Sequence, residues 1–481
     1  MFNLFGNATP SEPVYFFDTA AQEKRVFTPL QKKVVTLYSC GPTVYDHIHI
    51  GNLRAYLLPD LVKRVLLFNG YTVKHTINFT DFGHLTDDGD TGEDKIMKGM
   101  KREGYPITLE GMRDFASPYI ESFKRDNERF LNLPATTYAR ASDYVAGQIK
   151  IVETLMEKGY AYETSDGVYF DVQKYPTYGV LNNIDIDALQ AGARVAVHAE
   201  KRHPADFALW KKADLGWESR FGTGFPGWHI ECTAMAFATL GKQIDIHTGG
   251  EDLAYTHHNA EIAQAECVTG KPFVQYWLHN AFINIANEKI AKSIGNTITL
   301  SELIEKGYSA EDYRYWLLQS HYRTTANFTF EALDAAKQAL TRLKRYVYEE
   351  LGDQPLTQPN EQYESAFIKA VNDDLDTPRA IAILWELTKD KRISPAEKRA
   401  VFQVADSILE LNLSLSTEAG LVALGHVAIN ELPEAIQDLI QERNLARSAQ
   451  NWPESDRLRE ALQAKGYGVE DTSEGTRVTK D

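Results

Sequence analysis

The stretch from Val34 to Asp81 constrains this chain most, because two apolar strand patterns flank one long helical pattern there. Residues 34–40 form a β-branched apolar run, and the segment 71–81 repeats that character. Between them, leucines and valines recur at helical spacing and end at Asn69-Gly70, a typical C-terminal cap. Strand, helix and strand in this order predict a βαβ unit and a parallel sheet of the Rossmann type. Pro59 interrupts the helical pattern and predicts either a kink or a later helix start.

The junction between the first strand and the helix carries Cys40, His47 and His49. Helix N-termini present unpaired backbone N–H groups and the positive end of the helix dipole, so anions bind there. A cysteine and two histidines at such a place suit metal chemistry as well as phosphate chemistry. The junction alone does not choose between them.

The length of 481 residues exceeds what one core accommodates, so we expect several domains in an α/β protein. The pattern predicts a Rossmann-type parallel-sheet catalytic domain with an insertion, an α-helical C-terminal region and a small terminal module. The predicted boundaries are 14–115 for the first half of the catalytic domain, 116–205 for the connective insertion, 206–322 for the second half, 323–425 for a helical bundle and 426–481 for the terminal module.

Charge and cysteine content narrow the class of protein. The formal net charge of −16 argues against non-specific nucleic-acid binding, which requires a basic surface. The three cysteines lie far apart in sequence, which fits a reducing compartment rather than a disulfide framework. The N-terminus lacks the features of a signal peptide, and no apolar stretch is long enough to span a bilayer. We therefore expect a cytoplasmic protein without a membrane partner.

Candidate metal ligands occur at three places: Cys40, Cys232 and the HHNAE run that starts at His257. His257 and Glu261 are four residues apart and would share one helix face. Thiolate, imidazole and carboxylate together form a usual zinc set. An isolated cysteine is more often a small buried hydrophobe, and the spacing does not exclude that interpretation for either one. Cys267 lies in an amphipathic helical pattern and is expected in the core.

A second candidate site is the segment EKIAKSIGN, in which Lys289 and Lys292 stand three residues apart. Two lysines in a loop bounded by Gly and Asn would offer positive charge to a triphosphate. An ordinary solvated surface loop explains the same residues. The motif alone is weak.

Taken together, the motifs of this chain resemble those of the cysteinyl-tRNA synthetases, class I aminoacyl-tRNA synthetases, and in particular the bacterial type. The resemblance covers nearly the whole chain, from about Val14 to the tail. It rests on the blocks CGPTVYD (40–46), HIGN (49–52), NFTD (78–81), DFALWK (206–211), GFPGWHIECTAM (224–235), DIHTGGEDL (245–253), HHNAEIAQ (257–264), KIAKSIGN (289–296), HYRTTANF (321–328) and NDDLDTP (372–378).

The resemblance implies a role for each of several residues. It implies one zinc ion per chain, with the ligands Cys40, Cys232, His257 and Glu261. It implies that Trp228 packs on the cysteine side chain, that Asp252 receives the ammonium group and that Thr80 lines the same pocket. It assigns the class I ATP signature to His49 and Asn52 and the signature loop to Lys289 and Lys292, of which Lys292 contacts ATP.

The implied function is the ATP- and Mg²⁺-dependent activation of L-cysteine to cysteinyl-adenylate, followed by transfer to the 3′ end of tRNA(Cys). An apolar pocket discriminates poorly between side chains as similar as those of cysteine, serine and alanine. Zinc prefers a thiolate to a hydroxyl, so selection by metal would remove the need for editing. The helical bundle and the terminal module would bind the tRNA, and a monomer is expected.

Two motifs depart from the family pattern. HIGH becomes HIGN, so Asn52 supplies an amide without a possible positive charge, and KMSKS becomes KIAKS, which loses one serine hydroxyl. Neither change removes a residue on which the activity is expected to depend. For tRNA, stacking on aromatic side chains makes Trp452 and Tyr467 candidates, and Arg443 and Arg447 form a basic cluster on one helix face.

Two other functions are compatible with parts of the sequence. One is an ATP-dependent cysteine ligase of the mycothiol type, which lacks the terminal tRNA-binding region that residues 430–481 indicate. The other is an inactive paralogue that senses cysteine or binds RNA, for which the altered KIAKS loop is the main argument.

Overall fold

A computed structural model of the chain describes residues 12–83, 94–181, 200–285, 288–289, 297–472 and 475–480. The chain forms two compact units. The larger unit consists of Met1–Leu333, Ala366–Ile381 and Ser407–Leu409, and the smaller of Asp334–Ser365, Ala382–Asp406 and Glu410–Asp481. No helix in the described part of the chain is both long and apolar enough to cross a membrane.

The larger unit contains the strands of a parallel sheet and of three smaller antiparallel or mixed sheets. These strands are β1 (Tyr15–Asp18), β2 (Glu23–Val26), β3 (Val34–Ser39), β4 (Thr72–Phe79), β5 (Thr137–Arg140), β6 (Ala161–Glu163), β7 (Gly167–Phe170), β8 (Phe207–Trp217), β9 (Gly224–Pro226), β10 (Ile244–Gly250), β11 (Val274–Asn280), β12 (Ile283–Ile285), β13 (Glu288–Lys289) and β14 (Ala326–Phe328).

Helices follow most of these strands. Those that begin in the larger unit are α1 (Ile50–Phe68), α2 (Lys95–Glu103), α3 (Leu109–Arg129), α4 (Val145–Glu157), α5 (Trp228–Thr239), α6 (Glu251–Tyr255), α7 (His257–Thr269), α8 (Leu300–Glu305), α9 (Ala310–Leu318) and α10 (Phe330–Arg345).

The parallel sheet has the order β11-β10-β3-β4-β5, with all neighbours parallel. The predicted βαβ unit of β3, α1 and β4 is confirmed, and so is the Rossmann-type α/β class. Both faces of β3 and β4 are largely buried, which accounts for their nearly continuous apolar sequence. β6, β7, β8 and β9 form a separate antiparallel sheet.

Helix α1 runs from Ile50 to Phe68 without a break at Pro59, so the alternative of a later helix start is wrong. Proline removes one helical hydrogen bond, but Leu57, Leu58 and Leu61 around it are at most 5% exposed. Burial of leucines stabilises by about 1.5–3 kcal/mol each, which offsets the lost hydrogen bond.

The smaller unit is helical and ends in an antiparallel hairpin. Its remaining elements, some of which continue from the larger unit, are α11 (Glu361–Asn372), α12 (Thr377–Lys389), α13 (Pro395–Leu409), α14 (Thr417–Ala423), α15 (Glu434–Ser448), α16 (Trp452–Gln463), β15 (Tyr467–Thr472) and β16 (Gly475–Lys480). β15 and β16 pair antiparallel and form this hairpin.

Two side chains that the sequence suggested for RNA binding are buried in the terminal module. Tyr467 is 8% exposed and packs in the core of α15, α16 and the hairpin, so its ring is not available for stacking. Arg443 is fully buried, and its guanidinium donates two hydrogen bonds to Asp471. Trp452, in contrast, is 52% exposed, and Arg447 lies 5.6 Å from the centre of its ring.

Candidate metal centre and nucleotide cleft

The carboxyl ends of β3, β10 and β11 open into one cleft of about 460 Å³. Cys40, Gly250 and Asn280 stand at these three strand ends, and all of them line the cleft. β3 pairs with β4 on one side and with β10 on the other, so the strand order reverses at this point of the sheet. Open α/β sheets bind ligands at such a reversal.

The turn after β3 is held by its neighbours on the sheet. The Cys40 backbone N–H donates to the Thr248 carbonyl at 3.2 Å, and the Gly41 N–H donates to Asn78 Oδ1 at 2.8 Å. A Cβ at Gly41 would lie 1.6 Å from the Asn78 carbonyl oxygen, so only glycine fits there. The position of the Cys40 sulfur is therefore determined by contacts on both sides.

Four donor atoms meet at the base of the cleft. The sulfur atoms of Cys40 and Cys232 are 3.8 Å apart, and His257 Nε2 lies 3.4 Å from the Cys232 sulfur. Glu261 Oε1 lies 3.1 Å from His257 Nε2 and 3.8 Å from the Cys40 sulfur. These side chains come from the end of β3, from α5 and from one face of α7, and all but Cys40 are fully buried.

Interactions within this cluster favour the charged forms of His257, Cys232 and Glu261 and the neutral form of Cys40. Burial lowers the pKa of His257, but the Cys232 sulfur and the Glu261 carboxylate outweigh it and raise the pKa to about 10. Burial opposes ionisation of Cys232, yet hydrogen bonding to Cys40 and the charge of His257 lower its pKa to about 6. The pKa of Glu261 falls to about 2 against the effect of burial because of His247 and His257. Burial and the neighbouring Cys232 raise the pKa of Cys40.

The donor set fits a zinc ion. Tetrahedral zinc with bonds of about 2.0–2.3 Å holds its ligand atoms about 3.3–3.8 Å apart. The four contacts measured here, between 3.1 and 3.8 Å, agree with that spacing. A second group of close donors consists of Cys40, His247, His258 and Glu261. It lacks the second sulfur, so the set with two cysteines suits zinc better.

A layer of histidines lies behind the cluster, and the sequence did not predict two of its members, His247 and His279. His247 Nε2 lies 3.0 Å from Glu261 Oε2, and His258 Nδ1 lies 2.7 Å from His279 Nε2. The His247 ring stacks on Trp277 with its centre 4.6 Å away. A polar residue within the buried strand pattern DIHTGG is the signal that could have identified His247.

His49 and Asn52 form a reciprocal cap at the N-terminus of α1, on the rim of the same cleft. Asn52 Oδ1 accepts a hydrogen bond from the His49 N–H at 3.1 Å, and His49 Nδ1 accepts one from the Asn52 N–H at 3.3 Å. Because Nδ1 accepts, the proton of the neutral ring is on Nε2. The cap orders the helix end, where the positive end of the helix dipole attracts an anion.

Trp228 and Asp252 both line the cleft, as expected for residues that hold a substrate. Trp228 begins α5, and its ring centre lies 4.4 Å from that of His257, so an apolar surface borders the donor cluster. Asp252 lies in the first turn of α6, next to Gly250 at the end of β10. The cleft thus combines an aromatic wall, a carboxylate and the donor cluster.

Thr80 lies behind the cleft wall rather than on it. It is 2% exposed, its hydroxyl donates to Glu231 Oε2 at 2.7 Å, and it does not belong to the lining residues. Its backbone bonds to both Pro42 and Val44 and thereby holds the turn after Cys40. The hydroxyl is used by Glu231, so the structure gives Thr80 a supporting position.

Of the two lysines in the predicted signature loop, the structure describes only the backbone of Lys289. The backbone of Lys289 belongs to β13, which pairs with β12. Lys292 lies outside the described residues.

Comparison with known families gives two matches. The model described as "tRNA synthetases class I (C) catalytic domain" matches residues 26–338. The model described as "Cysteinyl-tRNA ligase anticodon binding domain" matches residues 430–478.

Similar curated proteins align over nearly their full length. A protein named cysteine–tRNA ligase 1 from Burkholderia lata is 43% identical over 473 residues, which cover 97% of each chain. One named cysteine–tRNA ligase from Chlamydia pneumoniae is 38% identical over 97% of this chain and 98% of its own. One with the same name from Geobacillus sp. WCH70 is 39% identical over 96% of this chain and 98% of its own.

Solved structures of similar fold include two synthetases. Mycobacterium tuberculosis methionyl-tRNA synthetase in complex with methionyl-adenylate has a TM-score of 0.58 at 13% identity, covering 84% of this chain and 96% of its own. The LeuRS of Agrobacterium radiobacter K84, in a ternary complex, has a TM-score of 0.57 at 12% identity, covering 83% of this chain and 86% of its own. At these identities the likeness concerns the fold.

Proposed function

The chain belongs to the family of class I cysteine–tRNA ligases, and we propose that the cleft of its larger unit is where L-cysteine is activated with ATP. Activation yields cysteinyl-adenylate and pyrophosphate, with Mg²⁺ accompanying the nucleotide. The cysteinyl group then passes to the 3′ end of tRNA(Cys).

We propose that Cys40, Cys232, His257 and Glu261 hold one zinc ion. The support for this proposal is the convergence of two sulfurs, an imidazole and a carboxylate at spacings of 3.1–3.8 Å. When bound, zinc would act as a Lewis acid that binds the thiolate of the substrate cysteine. It would bind the hydroxyl of serine only poorly.

The remaining substrate contacts come from the cleft wall. The Asp252 carboxylate would bind the ammonium group, and the Trp228 ring would exclude water from the thiol side. Together with the donor cluster, they would hold the thiol and ammonium ends of the substrate. Positioning of this kind accounts for much of the rate of a reaction that uses no protein nucleophile.

The ATP phosphates are assigned to the N-terminus of α1. His49 can donate from Nε2, and the positive end of the α1 dipole would attract the α-phosphate. Lys292, with Lys289 in the same segment, would stabilise the departing pyrophosphate.

The smaller unit would bind tRNA through its terminal module, in line with the match of residues 430–478. Trp452 is the described aromatic side chain there that combines exposure with a neighbouring cation, Arg447. A splayed base could stack on this ring. We also propose that the enzyme is a monomer, which light scattering of the purified protein would test. We propose further that it acts in the cytoplasm.

One observation carries the metal assignment: residues 192 positions apart, Cys40 and Cys232, meet within 3.8 Å beside His257 and Glu261. The test is Cys232→Ser, with Cys267→Ser as the matched control. Cys267 is also buried, but it lies outside the donor cluster. It is on α7 and packs in a hydrophobic core.

Cys232→Ser should lose zinc, measured by atomic absorption, and cysteine-dependent ATP–pyrophosphate exchange together. Cys267→Ser should retain both. Full zinc content and unchanged cysteine KM in Cys232→Ser would contradict the assignment. Charging of transcribed tRNA(Cys) by the unmodified protein tests the complete reaction.

A further inference from the structure

The lining of the cleft is short of fixed positive charge. It contains the carboxylates of Asp46 and Asp252, the imidazoles of His47 and His49, and one ammonium group, that of Lys95. Among these lining residues, all of which belong to the described part of the chain, Lys95 is the only lysine or arginine. A triphosphate brings several negative charges into this space, so the position of this ammonium group matters.

Lys95 stands on a rigid base. It is the first residue of α2, whose N-cap Asp94 accepts hydrogen bonds from the N–H groups of Ile96 at 2.7 Å and Met97 at 3.0 Å. Gly99 lies against the Phe115 ring so closely that a Cβ would be 2.5 Å from Phe115 Cζ. The N-cap and the close packing of Gly99 thus order α2, the helix that begins at Lys95.

Helix α3, which packs with α2, contacts His47 in the segment that leads into α1. His47 Nδ1 lies 2.8 Å from Ser122 Oγ on α3, and the His47 ring lies 5.2 Å from that of Tyr119. Tyr119 in turn donates to Glu103 at the end of α2. Lys95, at the other end of α2, lines the same cleft as His49 and Gly51 at the N-terminus of α1.

We propose that Lys95 is a further catalytic residue whose ammonium group contacts the phosphates of ATP beyond the α-phosphate. This inference rests on the function proposed above. A carboxylate oxygen of cysteine forms a bond to the α-phosphorus while the bond from that phosphorus to the β-bridging oxygen breaks. The electron pair leaves with pyrophosphate, and no proton transfer is required.

Charge on the leaving group grows during this step, so an ammonium group near it binds the transition state more tightly than the ground state. Hydrogen bonds to charged partners are about twice as strong as neutral ones. Lys95 would thus act from the fixed part of the cleft, in addition to the lysine assigned to the signature loop.

The test uses the full-length protein with Lys95→Met, Lys95→Gln and Lys95→Arg. Lys98→Met is the matched control, because Lys98 lies on the same helix, is exposed and does not line the cleft. Cysteine-dependent ATP–pyrophosphate exchange is measured without tRNA, and thermal melting establishes that each variant is folded.

We expect Lys95→Met and Lys95→Gln to lower kcat/KM for ATP by about 10- to 100-fold, the effect of losing a charge-assisted hydrogen bond. The KM for cysteine and inhibition by AMP should stay unchanged, since AMP lacks the phosphates concerned, whereas the KM for pyrophosphate in the exchange reaction should rise. Lys95→Arg should restore most of the activity, and Lys98→Met should behave as the unmodified protein.

Three results would overturn the proposal. Unchanged exchange in both neutral variants would remove Lys95 from the reaction. Equal weakening for ATP and AMP would indicate a structural effect on the cleft. Normal exchange with reduced tRNA charging would place Lys95 at the tRNA 3′ end. Absence of cysteine-dependent exchange in the unmodified protein would instead refute the proposed function itself.

Discussion

Substitution of Asn52 should separate two contributions of the α1 N-terminus, the order of the helix end and its attraction for phosphate. Asn52 Oδ1 accepts from the His49 backbone N–H at 3.1 Å, and this bond orders the backbone at the start of α1. Asn52→Ala removes the acceptor. Asn52→Asp keeps an acceptor of the same size and adds a negative charge.

The magnitudes differ between the two variants. Loss of a capping side chain costs about 0.5–2 kcal/mol, and 1 kcal/mol shifts the Tm of a unit of about 350 residues by roughly 1–2 °C. Asn52→Ala should therefore melt a few degrees lower, whereas the charge in Asn52→Asp favours a helix N-terminus and should preserve Tm. Two like charges about 10 Å apart at an effective dielectric constant of about 20 repel by roughly 1.7 kcal/mol. Asn52→Asp should accordingly raise the KM for ATP at least about tenfold.

Melting curves and ATP–pyrophosphate exchange measure these effects separately. Ser309→Ala is the control, because Ser309 forms the same kind of capping box with Asp312 at the start of α9, and neither residue lines the cleft. It should lower Tm without changing the KM for ATP. An unchanged KM for ATP in Asn52→Asp would refute the placement of the phosphates at α1.

Three further predictions concern other parts of the chain. Asp60→Asn should lower the free energy of unfolding by about 3 kcal/mol in urea titrations, because Arg314 would remain buried without its carboxylate. Although burial opposes it, Arg314 and Arg64 hold the pKa of Asp60 below its usual range. This stabilisation is present at neutral pH and is lost as the pH falls through that lowered pKa. The free energy of unfolding of the variant should therefore depend less on pH in the acid range. Chelation should lower Tm by several degrees and zinc should restore it; an unchanged Tm would argue against a bound metal. Trp452→Ala should raise the KM for tRNA about tenfold and leave pyrophosphate exchange unchanged, since stacking of one base contributes about 1–3 kcal/mol; an unaltered KM would exclude the stacking role.

Local patterns predicted the elements around the site because local chemistry determines them. The apolar runs of β3 and β4 are buried on both faces, and Gly70 follows the end of α1 with a φ of 81°. The pair His257 and Glu261 was predictable for the same reason, since helical spacing alone places them on one face. Cys40 and Cys232 belong to different elements, and only the resemblance to a family linked them before the fold was known.

The wrong expectations concern packing that sequence periodicity does not reveal. Arg443 and Arg447 share a face of α15, but the hairpin covers the first and leaves the second partly exposed, with both contacting Asp471. Tyr467 fills the small core beneath that hairpin. In a module of this size, an arginine or tyrosine that pattern alone would place at the surface can be part of the core.

The NFTD block illustrates why a motif can accompany a candidate site without lining its cleft. Asn78 Oδ1 accepts from the Gly41 N–H, and the Thr80 backbone bonds to Pro42 and Val44, so the end of β4 holds the turn that carries Cys40. The next eight residues lead from this turn to His49 and the N-terminus of α1, where we propose that the phosphates bind. The position of the Cys40 sulfur, a proposed zinc ligand, is thus determined by a neighbouring strand rather than by the turn itself. A short polar block at the end of a buried strand can therefore be as restricted in sequence as the ligands it positions.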